Sequence, residues 1–91
     1  MKCGGFSNAE INDEHMNMIN SKKDEIENML ISKGRNGKIE YFEVLELQQQ
    51  VVAGMNYLFK IKLQKDGDEC IQVRIYKNLN NDISIHSIES I

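Results

Sequence analysis

Cys3, Cys70, His15 and His86 are the side chains of this chain best suited to hold a metal or act as a nucleophile. Zinc sites join cysteines and histidines in closely spaced pairs, and no such pair occurs here. A cysteine nucleophile needs a histidine base beside it. Cys3, however, falls in a glycine-bearing arm, and His15 lies on the apolar stripe of a helical pattern, where a structural histidine is expected. Cys70, at the start of a strand pattern, reads as a small half-buried hydrophobe. Asp66-Gly67-Asp68-Glu69 gathers carboxylates but lacks the twelve-residue calcium-loop pattern, so it reads as a solvated turn. Gly4-Gly5 has neither the lysine nor the third glycine of a phosphate cradle. These residues predict no catalytic centre, no metal and no cofactor, which leaves binding as the working class.

The stretch Gln48-Gln49-Gln50-Val51-Val52-Ala53-Gly54 is of another kind. It is uncharged, turns apolar, and lies between two strand patterns where the chain must reverse. Turns favour Asn, Asp, Gly and Pro, and β-branched valine is poor at positive φ. Composition alone leaves two readings open: Val51 and Val52 end a buried strand, or they form an apolar tip.

The elements around it follow from periodicity. Residues 1–8 read as a flexible or extended arm. From Ala9 to about Ser32, Ile11, His15, Met18, Ile19, Lys22, Ile26, Met29 and Leu30 recur at three- and four-residue steps, which predicts one amphipathic helix. Asn8 or Ser7 is its expected cap and Gly34 its stop, with Lys33 and Arg35 favourably placed for the helix dipole. Four strand patterns then follow. Ile39 to about Gln50 has Tyr41, Leu45 and Leu47 in phase and Phe42 and Val44 out of phase, which implies two covered faces or a bulge. Met55–Gln64 alternates Tyr57, Phe59, Ile61 and Leu63 with more polar residues, Asp66-Gly67 turns the chain, and Cys70–Lys77 alternates Ile71, Val73 and Ile75. After the polar loop Asn78-Leu79-Asn80-Asn81-Asp82 comes Ile83 to about Ile88. A helix followed by hairpin-linked strands makes an α+β domain, the helix packed on an antiparallel sheet.

The 91 residues suffice for one domain, 1–91, with one modest core. Hydrophobic residues at 41% and charged residues at 27% fit a folded globular chain. A net charge of −3 without a basic stripe argues against nucleic acid. No apolar run approaches the roughly 18 residues of a membrane span, and the N-terminus lacks a signal-peptide core. With only two cysteines, a reducing, cytoplasmic compartment is expected.

Gln50-Val51-Val52-Ala53-Gly54 resembles the Gln-X-Val-X-Gly signature of the cystatins, and its continuation Met55-Asn56-Tyr57 resembles the matching run of the stefins, their single-domain intracellular branch. Three further landmarks agree in order: the arm Met1-Lys2-Cys3-Gly4-Gly5, the helix before the first long strand, and Val73-Arg74-Ile75-Tyr76-Lys77-Asn78-Leu79 running into a second hairpin. The resemblance implies a cystatin-like fold, one long helix gripped by a curved antiparallel sheet of four to five strands. It also implies a monomeric, reversible, tight-binding competitive inhibitor of papain-like, cathepsin-type cysteine proteases. The wedge it implies consists of Gly4 and Gly5 in the arm, Gln50, Val51, Val52, Ala53 and Gly54 in the first hairpin, and Leu79 and Asn80 in the second.

Two departures bear on that expectation. Where stefins carry a proline after the leucine of the second hairpin, this chain has Leu79-Asn80-Asn81 and no proline anywhere. The sequence also stops at Ile91, before the stretch matching the stefin C-terminal tail, so contacts from that tail are not expected. Together they motivate an alternative, a non-inhibitory protein-binding module on the same fold. The valine tip suggests, in addition, a domain-swapped dimer opened at the first hairpin, which would bury the tip.

Overall fold

The computed structural model describes residues 5–91; Cys3 and Gly4 lie outside the described residues. The elements are β1 (Ser7–Ala9), α1 (Asp13–Ser21), α2 (Lys23–Ser32), β2 (Glu43–Val52), β3 (Gly54–Lys62), β4 (Cys70–Lys77) and β5 (Ile83–Ser90). All five strands form one sheet in the order β1-β2-β3-β4-β5, each pair antiparallel. This is the α+β architecture that the alternating strands and the amphipathic segment predict, with the five-stranded antiparallel sheet that the resemblance implies.

The helical segment departs from the single helix expected over Ala9–Ser32. Ser7–Ala9 pairs instead with Leu47–Gln49, placing Ala9 against the core. The helix starts at Asp13 because Asn12, not Asn8 or Ser7, caps it. Asn12 Oδ1 accepts from the His15 amide at 2.9 Å while His15 Nδ1 accepts from the Asn12 amide at 3.2 Å, a reciprocal capping box. At Lys22 the helix is interrupted. Ser21 Oγ donates to the Met18 carbonyl at 2.7 Å, and the Lys22 amide bonds the Ile19 carbonyl three residues back, which tightens and bends the chain. α2 ends in a Schellman motif: Gly34, at φ +108°, donates to the Ile31 carbonyl and Arg35 to the Leu30 carbonyl, each at 3.0 Å. Lys33 and Arg35 reach across to the sheet, Lys33 Nζ to the Ile88 carbonyl at 2.8 Å and Arg35 to the Glu69 carboxylate.

Ile19 and Ile26, fully buried, lie in one core with Phe59, Ile61, Ile71, Val73 and Ile75 of the sheet's inner face. Each such side chain contributes about 1.5–3 kcal/mol on burial. β2 is shorter at its start than the expected Ile39–Gln50. Ile39 is buried but outside the strand, its amide donating to Glu27 Oε2 at 2.7 Å. The mixed phase of β2 comes from a bulge between Val44 and Glu46. It turns Val44 and Leu47 inward and leaves Leu45, expected inside, 39% exposed. A second bulge skips His86, so that Ile85 faces Ile75 while Ile88 faces Val73 in the core.

Candidate functional site

A meander of antiparallel strands puts alternate turns at opposite ends of the sheet. The β2–β3 and β4–β5 turns therefore share one end, and the β3–β4 turn shares the other with the loop after α2. β1 runs antiparallel to β2 with Ser7 opposite Gln49, so the chain before it, including Gly5, points toward the β2–β3 turn. The structure thus brings Gly5, the first hairpin and the second hairpin to one edge.

In the first hairpin the strands pair up to Val52 and Gly54, leaving Ala53 alone at the reversal. Val51 is 73% exposed and Val52 37% exposed, although both belong to the strand by hydrogen bonding. The valines therefore continue β2, but not as the end of a buried strand: they form its exposed apolar tip. Gln50 is half-buried, and Asn56 Nδ2, opposite it on β3, donates to its Oε1 at 3.1 Å. Gly54 sits at φ +107°, where a side chain is strained, and a Cβ there would overlap the Lys77 carbonyl oxygen.

The second hairpin is built by Asn78. Its backbone amide donates to the Asp82 carbonyl, and its side-chain Oδ1 accepts from the amides of Asn80 at 2.8 Å and Asp82 at 3.0 Å. Asn81 takes a left-handed conformation at φ 67°, one that asparagine tolerates. This asparagine frame fixes the loop without proline and holds Leu79 outward, 78% exposed. Asn80 is exposed beside it, its amide engaged by Asn78.

Three residues that periodicity did not single out support this edge. Tyr76 donates its hydroxyl to the Ala53 carbonyl, joining β4 to the first tip. Asn78 frames the second. Arg74 places its guanidinium 4.8 Å from the centre of the Phe6 ring, a cation–π contact that ties the chain just after Gly5 to β4. Sequence signals for them are faint: an asparagine opening a polar loop, and polar residues alternating with core positions.

The side chains first considered for chemistry are dispersed. His15 belongs to the helix cap, its ring 5.5 Å from Tyr57 edge-on; Cys70 is half-buried at the start of β4; His86 is exposed on β5. Among the described residues no group of three metal-binding side chains converges. Asp66 and Asp68 are exposed in the far turn, and Glu69 there accepts from Arg35. No helix among the described residues is long and apolar enough to cross a membrane.

Comparison with known proteins agrees with the architecture. The cystatin domain matches residues 32–83, a segment that spans both hairpins. The chain is 34% identical over 79 residues to stefin-C of Bos taurus, covering 87% of this chain and 72% of the relative. It is 33% identical over 82 residues to cystatin-B of Bos taurus, covering 90% and 78%. With cystatin-B of Ovis aries it shares 36% identity over 59 residues, covering 65% and 57%. The chain therefore belongs to the cystatin family, whose members inhibit proteases and are not enzymes.

Proposed function

We propose that this protein is a reversible, competitive inhibitor of papain-like cysteine proteases of the cathepsin type, plugging their active-site cleft with the edge formed by Gly4 and Gly5, the Gln50–Gly54 hairpin, and Leu79 with Asn80. The observation that carries this reading is the exposure of Val51, Val52 and Leu79 on adjacent turns at one end of a rigid sheet. A protease cleft accepts extended backbone and apolar side chains. An inhibitor must supply both without placing a peptide bond for attack, and a sheet-held hairpin does so. Each valine, if fully buried in the complex, contributes about 1.5–3 kcal/mol. Because strand pairing holds the tip beforehand, little ordering entropy is lost on docking. Glycine at positions 4 and 5 lets the arm approach the cleft wall where a β-carbon would interfere. The whole chain, 1–91, acts as one domain in this reading. Likeness to the stefins and the scarcity of cysteine support action in the cytoplasm.

Steady-state kinetics of papain on a peptide substrate test the mode of action. Inhibition that weakens as substrate concentration rises is expected; inhibition independent of substrate would place the contact outside the cleft. The monomer is the active form in this reading, because a swap opening at Ala53 would straighten β2 into β3 and remove the tip. Size-separated fractions assayed individually check this, and an inhibitory dimer would contradict it.

A further inference from the structure

Tyr76 stands on β4 opposite Asn56, on the face of the sheet turned away from the helices. Its hydroxyl donates to the carbonyl of Ala53, the residue at the reversal of the first hairpin. Beside that bond the backbone of Gly54 lies directly on β4. A Cβ added there would meet Tyr76 Oη at 3.1 Å and Asn78 Cα at 3.2 Å, with the Lys77 carbonyl nearer still. The first tip thus rests on residues 76–78, which lead immediately into exposed Leu79.

We infer that Tyr76 is a positioning residue for inhibition, its hydroxyl locking the Val51–Ala53 tip to the base of the second hairpin so that both tips meet the cleft as one surface. This rests on the protease-inhibitor reading above. The physical need is plain. Val51, Val52 and Ala53 are all exposed, so no core packing holds the outer end of this hairpin. Beyond strand pairing, the Ala53 peptide is fixed by the Tyr76 hydroxyl. A tip that swings away from Leu79 must be returned before it docks, and that lowers the fraction of molecules competent to bind.

Tyr76→Phe removes the hydroxyl and keeps the ring. The loss of one exposed hydrogen bond is expected to raise the papain inhibition constant about three- to tenfold, mostly as slower association. Amide exchange at Val52 and Ala53 should speed up, while exchange at Ile61 and Ile71 in the core and the denaturation midpoint stay within error. An unchanged inhibition constant, or tip exchange equal to that of the parent, would overturn the inference. A parent protein that leaves papain untouched would refute the inhibitor reading and the inhibitory role of Tyr76 with it, whereas a parent that inhibits and a Tyr76→Phe variant that inhibits equally well would refute Tyr76 alone.

Discussion

Gly54 and Lys77 approach so closely that the α-carbon of one hairpin lies against the backbone carbonyl of the other, leaving no room for a side chain at position 54. The glycine is therefore fixed twice, by its φ of +107° and by its neighbour. Gly54→Ala should force the first tip away from β4 and destabilise the fold by about 1–3 kcal/mol. Denaturant titration gives the stability change and papain inhibition the displacement. Parent-like values of both would mean that the hairpins are not held together at this point.

Asn78 frames the second hairpin in a chain that has no proline. Asn78→Ala deprives the Asn80 and Asp82 amides of their acceptor, at about 0.5–1.5 kcal/mol for each bond. Faster amide exchange at both positions and weaker inhibition are expected. Asn78→Asp keeps the acceptor oxygen but sets a second carboxylate against Asp82, to which Asn78 Nδ2 donates at 3.3 Å. Combined with Asp82→Asn it should restore most of the loss, and a double variant as loose as Asn78→Ala would show that the acceptor oxygen is not what frames the loop.

Ile26 is fully buried where α2 meets the sheet. Ile26→Ala should cost about 2–5 kcal/mol and Ile26→Val about 0.5–1.5 kcal/mol, read from unfolding midpoints. An Ala variant as stable as the Val variant would contradict helix packing at this position.

Tyr41 donates its hydroxyl to Glu43 Oε1 at 2.7 Å. That bond, with partial desolvation and the nearby Glu43 and Asp66 charges, raises its phenol above the ordinary tyrosine range. The folded value lies above the unfolded one, so the associated stabilisation is complete below the ordinary phenol pKa and fades as pH rises through the folded value. Glu43→Ala should lower the midpoint of the Tyr41 ultraviolet titration, since it removes both the hydrogen-bond acceptor and the adjacent charge. An unmoved midpoint would assign the shift elsewhere.

The sheet was the most legible part of this chain. Tyr57, Phe59 and Ile61 alternate strictly, as do Ile71, Val73 and Ile75, and both sets face the core because β3 and β4 are central strands without bulges. The edges were less legible because contacts distant in sequence decide them. Ser7–Ala9 is a strand only by pairing with β2, and the helix breaks at Lys22, where Ser21 Oγ donates to the Met18 carbonyl and the Lys22 amide turns to the Ile19 carbonyl instead. The bulge at Leu45 shows in the sequence as the mixed phase of β2, whereas the bulge at His86 shifts the inward face of β5 by one residue. At the candidate site, Val51 and Val52 stood out because valine is a poor turn residue. Tyr76 did not, because its partner Ala53 lies 23 residues away.

Active-site titration of papain bears most directly on the function. Papain at fixed concentration is incubated with increasing amounts of the parent protein and of Val52→Asp, which puts a charge on the exposed tip, and residual activity is measured. Stoichiometric loss of activity with the parent, and a strongly weakened effect with Val52→Asp, is the expected result. Full papain activity at micromolar parent protein, or equal inhibition by the aspartate variant, would contradict a cleft-plugging hairpin.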